Sequence, residues 1–206
     1  MIDPSHIPYN RRSLSQAELE ERIQTYGDQI HINRIIDAYD MARSVHASQV
    51  RNDNTPFFDH TARTVRIIMD ELGLYDTDLI TAAFLHDVLE DSSNITRDVL
   101  EYNFGSYVAY VVETLTKDLA KAKTDPDNID LQYVSRLKKS SHDCILIKLA
   151  ARLDNVRCIT FNLKRNPVVY LANTLERYLP IADASNNPRL HTLAAMIRQE
   201  ANTLLG

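Results

Sequence analysis

Glycine is scarce in this chain. Four glycines and seven prolines interrupt 206 residues, and apolar residues recur through segments of roughly ten to twenty positions at helical spacing. Strand-rich folds need frequent tight turns, which such a chain lacks, so the pattern favours a mainly helical architecture, a bundle of about nine to eleven helices. No internal repeat and no composition break divides the chain, and residues 1–206 are expected to form one domain.

Capping residues place the helices. Ser15 with Glu18 fits a capping box opening a first helix, which Gly27 would end. A second runs from about Gln29 to Ala47 with Ile32, Ile35, Ile36, Tyr39 and Ala42 on one face. The stretch from Ser48 to Asp59 reads as a loop, and a helix from Asp59 carries Ala62, Val65, Ile68, Met69 and Leu72 before stopping at Gly73. Asp76 or Thr77 caps the next, which continues through His86 and Asp87 to Glu90. Thr96 caps a short helix closing near Gly105, and another spans Tyr107 to Leu115. The polar stretch from Lys117 to Asn128 is expected to be a loop. Helices near Asp130–Lys139, His142–Phe161 and Val168–Leu179 follow, and Pro188 suits the first turn of a last helix ending at Leu205.

A net charge of −5 and a pI near 5.8 argue against general affinity for nucleic acid or an anionic membrane, so an anionic ligand would need a local site. The first residues lack a signal-peptide core, and no apolar run is long enough to span a bilayer, so the protein is expected in the cytoplasm. Cys144 and Cys158, fourteen apart on one expected helix, are too distant to bridge and read as small buried apolar residues.

The chemistry is concentrated in the stretch LHDVLED, Leu85 to Asp91. An imidazole beside a carboxylate can hold a divalent cation, and the acidic pair that follows can orient or activate a water. A His-Asp pair on a helix is more often a surface pair. Two features raise its standing: His60 supplies a second imidazole, and the apolar helix ILIKLAARLDNVR carries Lys148, Arg152, Asp154 and Asn155, charge that needs polar partners if buried.

His60, the HDVLED run, the stretch from Phe104 to Lys117 and ILIKLAARLDNVR together resemble the HD-domain hydrolases of the RelA/SpoT type, especially the stand-alone small alarmone hydrolases. The resemblance covers about Arg34 to Pro180, with the motifs in family order and spacing. It implies a single all-helical HD domain that binds manganese and removes pyrophosphate from the 3′ position of guanosine tetra- or pentaphosphate. It makes His60, His86 and Asp87 metal ligands and Glu90 and Asp91 the pair that positions and activates water. Arg51 would pack on guanine, Asn155 would lie near ribose and phosphate, and Val168 to Ala182 would close the pocket, with Tyr170 a contact. Lys148, Arg152, Lys117, Lys121 and Lys123 would offset substrate charge, although the loop lysines equally fit a solvated loop.

The chain departs from that pattern at three positions. Where the family has Lys-Leu-Ala-Asp-Arg-Leu, with the aspartate a metal ligand, this sequence has Ala151. The family histidine three residues on is Asp154, and a lysine after the loop arginine is Asn52. Three explanations stand side by side: Asp154 takes over as ligand, the alanine was introduced to trap substrate, or the protein binds nucleotide without turnover. Rival readings are an HD phosphatase acting on another nucleotide, such as the 2′-phosphate of NADPH, and a non-catalytic alarmone-binding module. A synthetase role is not expected, and the oligomeric state is left open.

Overall fold

The computed structural model describes residues 12–51, 54–161 and 166–205. They contain no β-strand, and ten α-helices of seven residues or longer, with shorter helical segments between them. The helices are α1 (Gln16–Ile23), α2 (Gln29–Val45), α3 (Phe58–Arg66), α4 (Thr77–Leu85), α5 (Val88–Asp91), α6 (Arg97–Phe104), α7 (Ser106–Leu115), α8 (Leu119–Thr124), α9 (Pro126–Leu137), α10 (His142–Arg157), α11 (Pro167–Asn173), α12 (Leu179–Asp183) and α13 (Pro188–Leu205).

Local chemistry sets most of the starts. Ser15 and Glu18 form the reciprocal capping box of α1, Asp28 caps α2, Asp76 accepts from the Leu79 amide and Thr96 from that of Val99. α1 closes at Ile23, one turn before Gly27. Gly73 ends the helical run of α3 and its π-helical extension (Ile67–Glu71) at φ 64°, a left-handed conformation that suits glycine. A second π-helical stretch, Thr174–Tyr178, joins α11 to α12.

The stretch after Lys117 is not a loop. Asp118 caps α8 by accepting from the Lys121 amide, and Asp125 caps α9 with Pro126 in its first turn. Those acidic residues, read as part of a polar run, are the helix starts.

α10 is the central helix. Cys144, Ile145, Leu149, Leu153 and Val156 are buried on it, and so are Arg152 and Asp154. It packs against α3 on one side and α13 on the other, while α2 packs on α4. Both cysteines are buried and free. The α2–α3 loop is pinned by an antiparallel bridge between Val50 and Pro56 and by the Arg51 amide donating to the Thr55 carbonyl at 2.9 Å. Asn54 takes φ 64° at its tip, a turn that asparagine tolerates. The loop therefore holds Arg51 over α10.

Candidate metal centre

The His-Asp pair does not lie within a continuous helix. α4 ends at Leu85, and Asp87 has φ −106° and ψ −3° before α5 begins, the bridge region that many active-site residues occupy. This break, which periodicity did not foretell, turns the Asp87 carboxylate back toward its neighbour. Asp87 Oδ2 lies 3.3 Å from His86 Nε2 and 3.9 Å from His60 Nε2.

Both rings are tied from behind. His86 Nδ1 is 2.8 Å from the Ala83 carbonyl, and His60 Nδ1 is 2.6 Å from Asp154 Oδ2. Each Nδ1 therefore carries the hydrogen and each Nε2 offers a lone pair toward Asp87. Ligand atoms of His60, His86 and Asp87 all lie within 4.8 Å of one another. Two donors on one first-row cation stand at most about 4.4 Å apart, so a shift of a few tenths of an ångström closes the set. These three residues fit a divalent cation.

Asp154, offered by the sequence as a replacement ligand, is not part of this cluster. It is 1% exposed and both its oxygens are engaged: Arg63 Nε donates to Oδ1 at 2.5 Å, and Oδ2 receives His60 and Arg63 NH2, the latter at 3.3 Å. Burial alone would raise its carboxyl, but the bonds and charges of His60 and Arg63 hold it down at about 2. Ala151, also buried, lies one turn earlier on α10, on the stripe that carries Lys148, Asp154 and Asn155. Among the described residues, the ligand atoms that cluster here are those of His60, His86 and Asp87.

Electrostatics within the centre are uneven. Burial would raise Asp87, but His86, His60 and Lys148 keep it below the usual carboxylate range. Burial and repulsion from Asp87 push Glu90 up to about 7, and the same two causes raise Asp91. The Lys117 amide donates to Glu90 Oε1 at 2.5 Å, and His46 Nδ1 stands 3.6 Å from Asp91 Oδ2. Burial lowers the His60 imidazole to about 4, with the charge of Arg51 acting in the same direction. It is therefore neutral, as a ligand must be. Burial and Lys117 bring Lys148 down to about 8.

Arg51 is no solvated loop residue. Its NH2 donates to Asn155 Oδ1 at 2.7 Å and its NH1 lies 3.6 Å from Asp154, so two residues expected to touch nucleotide are already paired. Asn52 lies outside the described residues. Arg152 donates to Thr174 and Asn173 at 2.5 and 2.7 Å and covers the rings of Tyr170 and Tyr178. Lys117 binds Asp130 at 2.8 Å and Lys121 pairs with Asp118; Lys123 is exposed on α8. The sequence reading missed Arg63, His46, Asp130 and Tyr133. Tyr133 carries the ammonium groups of Lys117 and Lys148 at 4.4 and 4.8 Å from its ring centroid. Arg63 sits on the helix of His60 three residues on, a spacing that offered the one available hint.

The family model described as HD domain matches residues 38–185, most of the chain and all three ligand candidates. The chain belongs to the HD-domain family. This HD domain is 35% identical over 126 residues to the mouse (Mus musculus) guanosine-3′,5′-bis(diphosphate) 3′-pyrophosphohydrolase MESH1, covering 60% of this chain and 68% of that protein. It is 32% identical over 169 residues to the pyrophosphohydrolase of Aquifex aeolicus and 34% over 168 residues to the bifunctional (p)ppGpp synthase/hydrolase SpoT of Escherichia coli. It spans 23% of the length of each of those two proteins. Among solved structures, a metazoan ortholog of SpoT that hydrolyses ppGpp superimposes with a TM-score of 0.70 at 25% identity, over 84% of this chain and 97% of the other. No helix among the described residues is long and apolar enough to cross a membrane.

Proposed function

We propose that this HD domain, acting as one unit over residues 1–206, hydrolyses guanosine tetra- or pentaphosphate at the 3′ position in the cytoplasm. GDP or GTP and pyrophosphate are the products, and manganese is the cation. The observation that carries the reading is the pair of imidazoles presenting Nε2 to one carboxylate, with a second carboxyl poised near neutrality beside it. The relatives named for this activity support the substrate class.

His60, His86 and Asp87 would hold the cation, which supplies polarisation of a phosphoryl oxygen and acidification of water. Glu90, with Oε1 fixed by the Lys117 amide, keeps Oε2 for a water and takes its proton as the water attacks the 3′ phosphorus. Asp91, beside His46, orients the same water. The bond between that phosphorus and the ribose 3′ oxygen breaks, and the oxygen takes a proton from solvent water. Lys148, whose ammonium rests on the Tyr133 ring, supplies positive charge to the phosphates. The guanidinium of Arg51, which donates to Asn155, would offer a face for guanine, and Tyr170 would close the far side.

Ala151 favours a second reading, in which the protein binds the nucleotide with little turnover. Pyrophosphate release from ppGpp with added manganese, compared between this protein and Ala151→Asp, separates the two. Restoring a ligand should raise turnover by about 10- to 100-fold, by analogy with the loss on removing a ligand's supporting partner. Binding without turnover in both proteins would favour the binding module, and release of phosphate from NADPH but not pyrophosphate from ppGpp would favour the other phosphatase.

A further inference from the structure

We infer that Asp154 is a positioning residue for His60: with Arg63 behind it, it fixes the imidazole in the Nδ1–H form and strengthens Nε2 as a metal donor, offsetting part of what is lost with alanine at position 151. The inference rests on the reading of His60, His86 and Asp87 as a metal site.

The two imidazoles are supported differently. His86 leans on a neutral backbone carbonyl, that of Ala83, at 2.8 Å. His60 leans on a buried carboxylate at 2.6 Å. A carboxylate on the far nitrogen orients the ring and raises its strength as a ligand, and losing such a partner typically weakens metal binding 10- to 100-fold. Asp154 reaches the edge of the ring opposite Nε2, so it acts through His60 and not on the cation.

A carboxylate 1% exposed needs a counter-charge. Arg63 supplies it, donating from Nε at 2.5 Å and from NH2 at 3.3 Å. His60 and Arg63 are three apart on α3 and so address the same stretch of α10. Arg51 NH1, 3.6 Å from Asp154 Oδ2, joins from the α2–α3 loop. The ligand set has one carboxylate, Asp87, and the negative charge of Asp154 is returned to the centre through one imidazole.

The test is calorimetric titration of the nucleotide-free protein with manganese, on wild type, Asp154→Asn and the double variant Arg63→Met/Asp154→Asn. The double variant removes both charges of the buried pair, so it carries the comparison if the single variant does not fold. The imidazole nitrogen spectrum of the metal-free proteins is recorded alongside. Support is manganese affinity 10- to 100-fold weaker, with His60 nitrogen signals moving from the Nδ1–H form toward mixed tautomers while those of His86 stay in place. A merely structural role would not shift one histidine alone. Folded variants that bind manganese as wild type does would overturn the inference and leave the metal site standing. A wild type that takes up no manganese would overturn both.

Discussion

Glu90 and His60 titrate in opposite senses. Glu90, raised to about 7 by burial and by Asp87, binds its proton more tightly folded than unfolded, so its contribution to stability is present at low pH and is lost as pH rises through about 7. His60, lowered to about 4, makes the unfolded chain the better proton acceptor, so stability is lost as pH falls from about 6.5 to 4. The two overlap, and the useful measurement is a difference. Glu90→Gln keeps an acceptor for the Lys117 amide, and its stability relative to wild type in metal-free buffer should increase between about pH 5 and pH 8. Urea melts across that range check it, and a constant difference would mean that Glu90 titrates as an ordinary exposed glutamate. Much of this scale was legible in the sequence: His60, His86, Asp87 and Glu90 stood out by type and spacing. The role of Asp154 did not, because its partners lie 91 and 94 residues away in the chain, beyond any local pattern.

Helix α9 is fastened to the α11–α12 run by one carboxylate. Asp130 accepts from Lys117 Nζ at 2.8 Å, Tyr178 hydroxyl at 2.6 Å, Asn173 Nδ2 at 2.9 Å and Arg177 NH1 at 3.2 Å. Burial would raise it, yet those donors hold it far below the usual carboxylate range. Asp130→Ala leaves several partly buried donors unpaired and should cost about 2 kcal/mol, read from the denaturation midpoint. Because Lys117 also fixes Glu90 through its amide, turnover should fall further than stability alone explains. The elements themselves were readable where a cap or breaker was local, as at Ser15, Asp76, Thr96 and Pro188. Others were not. α8 was hidden because Asp118 and Asp125 look like any polar run, and no periodicity marks the break at Asp87 or the π-helical stretch Thr174–Tyr178.

As a whole, the molecule brings α3, the α4–α5 junction and α10 together at the residues proposed to hold a cation, a set that exists only in the folded chain. A ligand that binds the native state alone stabilises it by mass action, about 2.7 kcal/mol at a hundredfold excess over Kd, or roughly 5–10 °C in Tm for a chain of this size. Manganese should therefore raise Tm and chelation should reverse the rise. Ala151→Asp should show the larger rise at equal manganese concentration; equal shifts would remove position 151 from the ligand set. A mainly helical architecture was evident from helical periodicity and the scarcity of glycine, and the apolar character of α10 from its spacing; its central place was not. The docking of α3 on α10 through buried charge was not.

That docking bears on how the chain is made. Arg63 is buried and its carboxylate partner arrives 91 residues later in the chain. Until α10 has emerged and docked, Arg63 lacks its main counter-charge and has on its own helix only the weaker influence of Asp59, so it resists burial in the growing core. Contacts of such long range must meet loop-closure entropy before they are rewarded, so the close docking of α3 is expected to follow the arrival of residue 154. Assembly of the centre and burial of Arg63 then belong to the same step, and a chain stalled ahead of α10 is expected to leave that part of the core open.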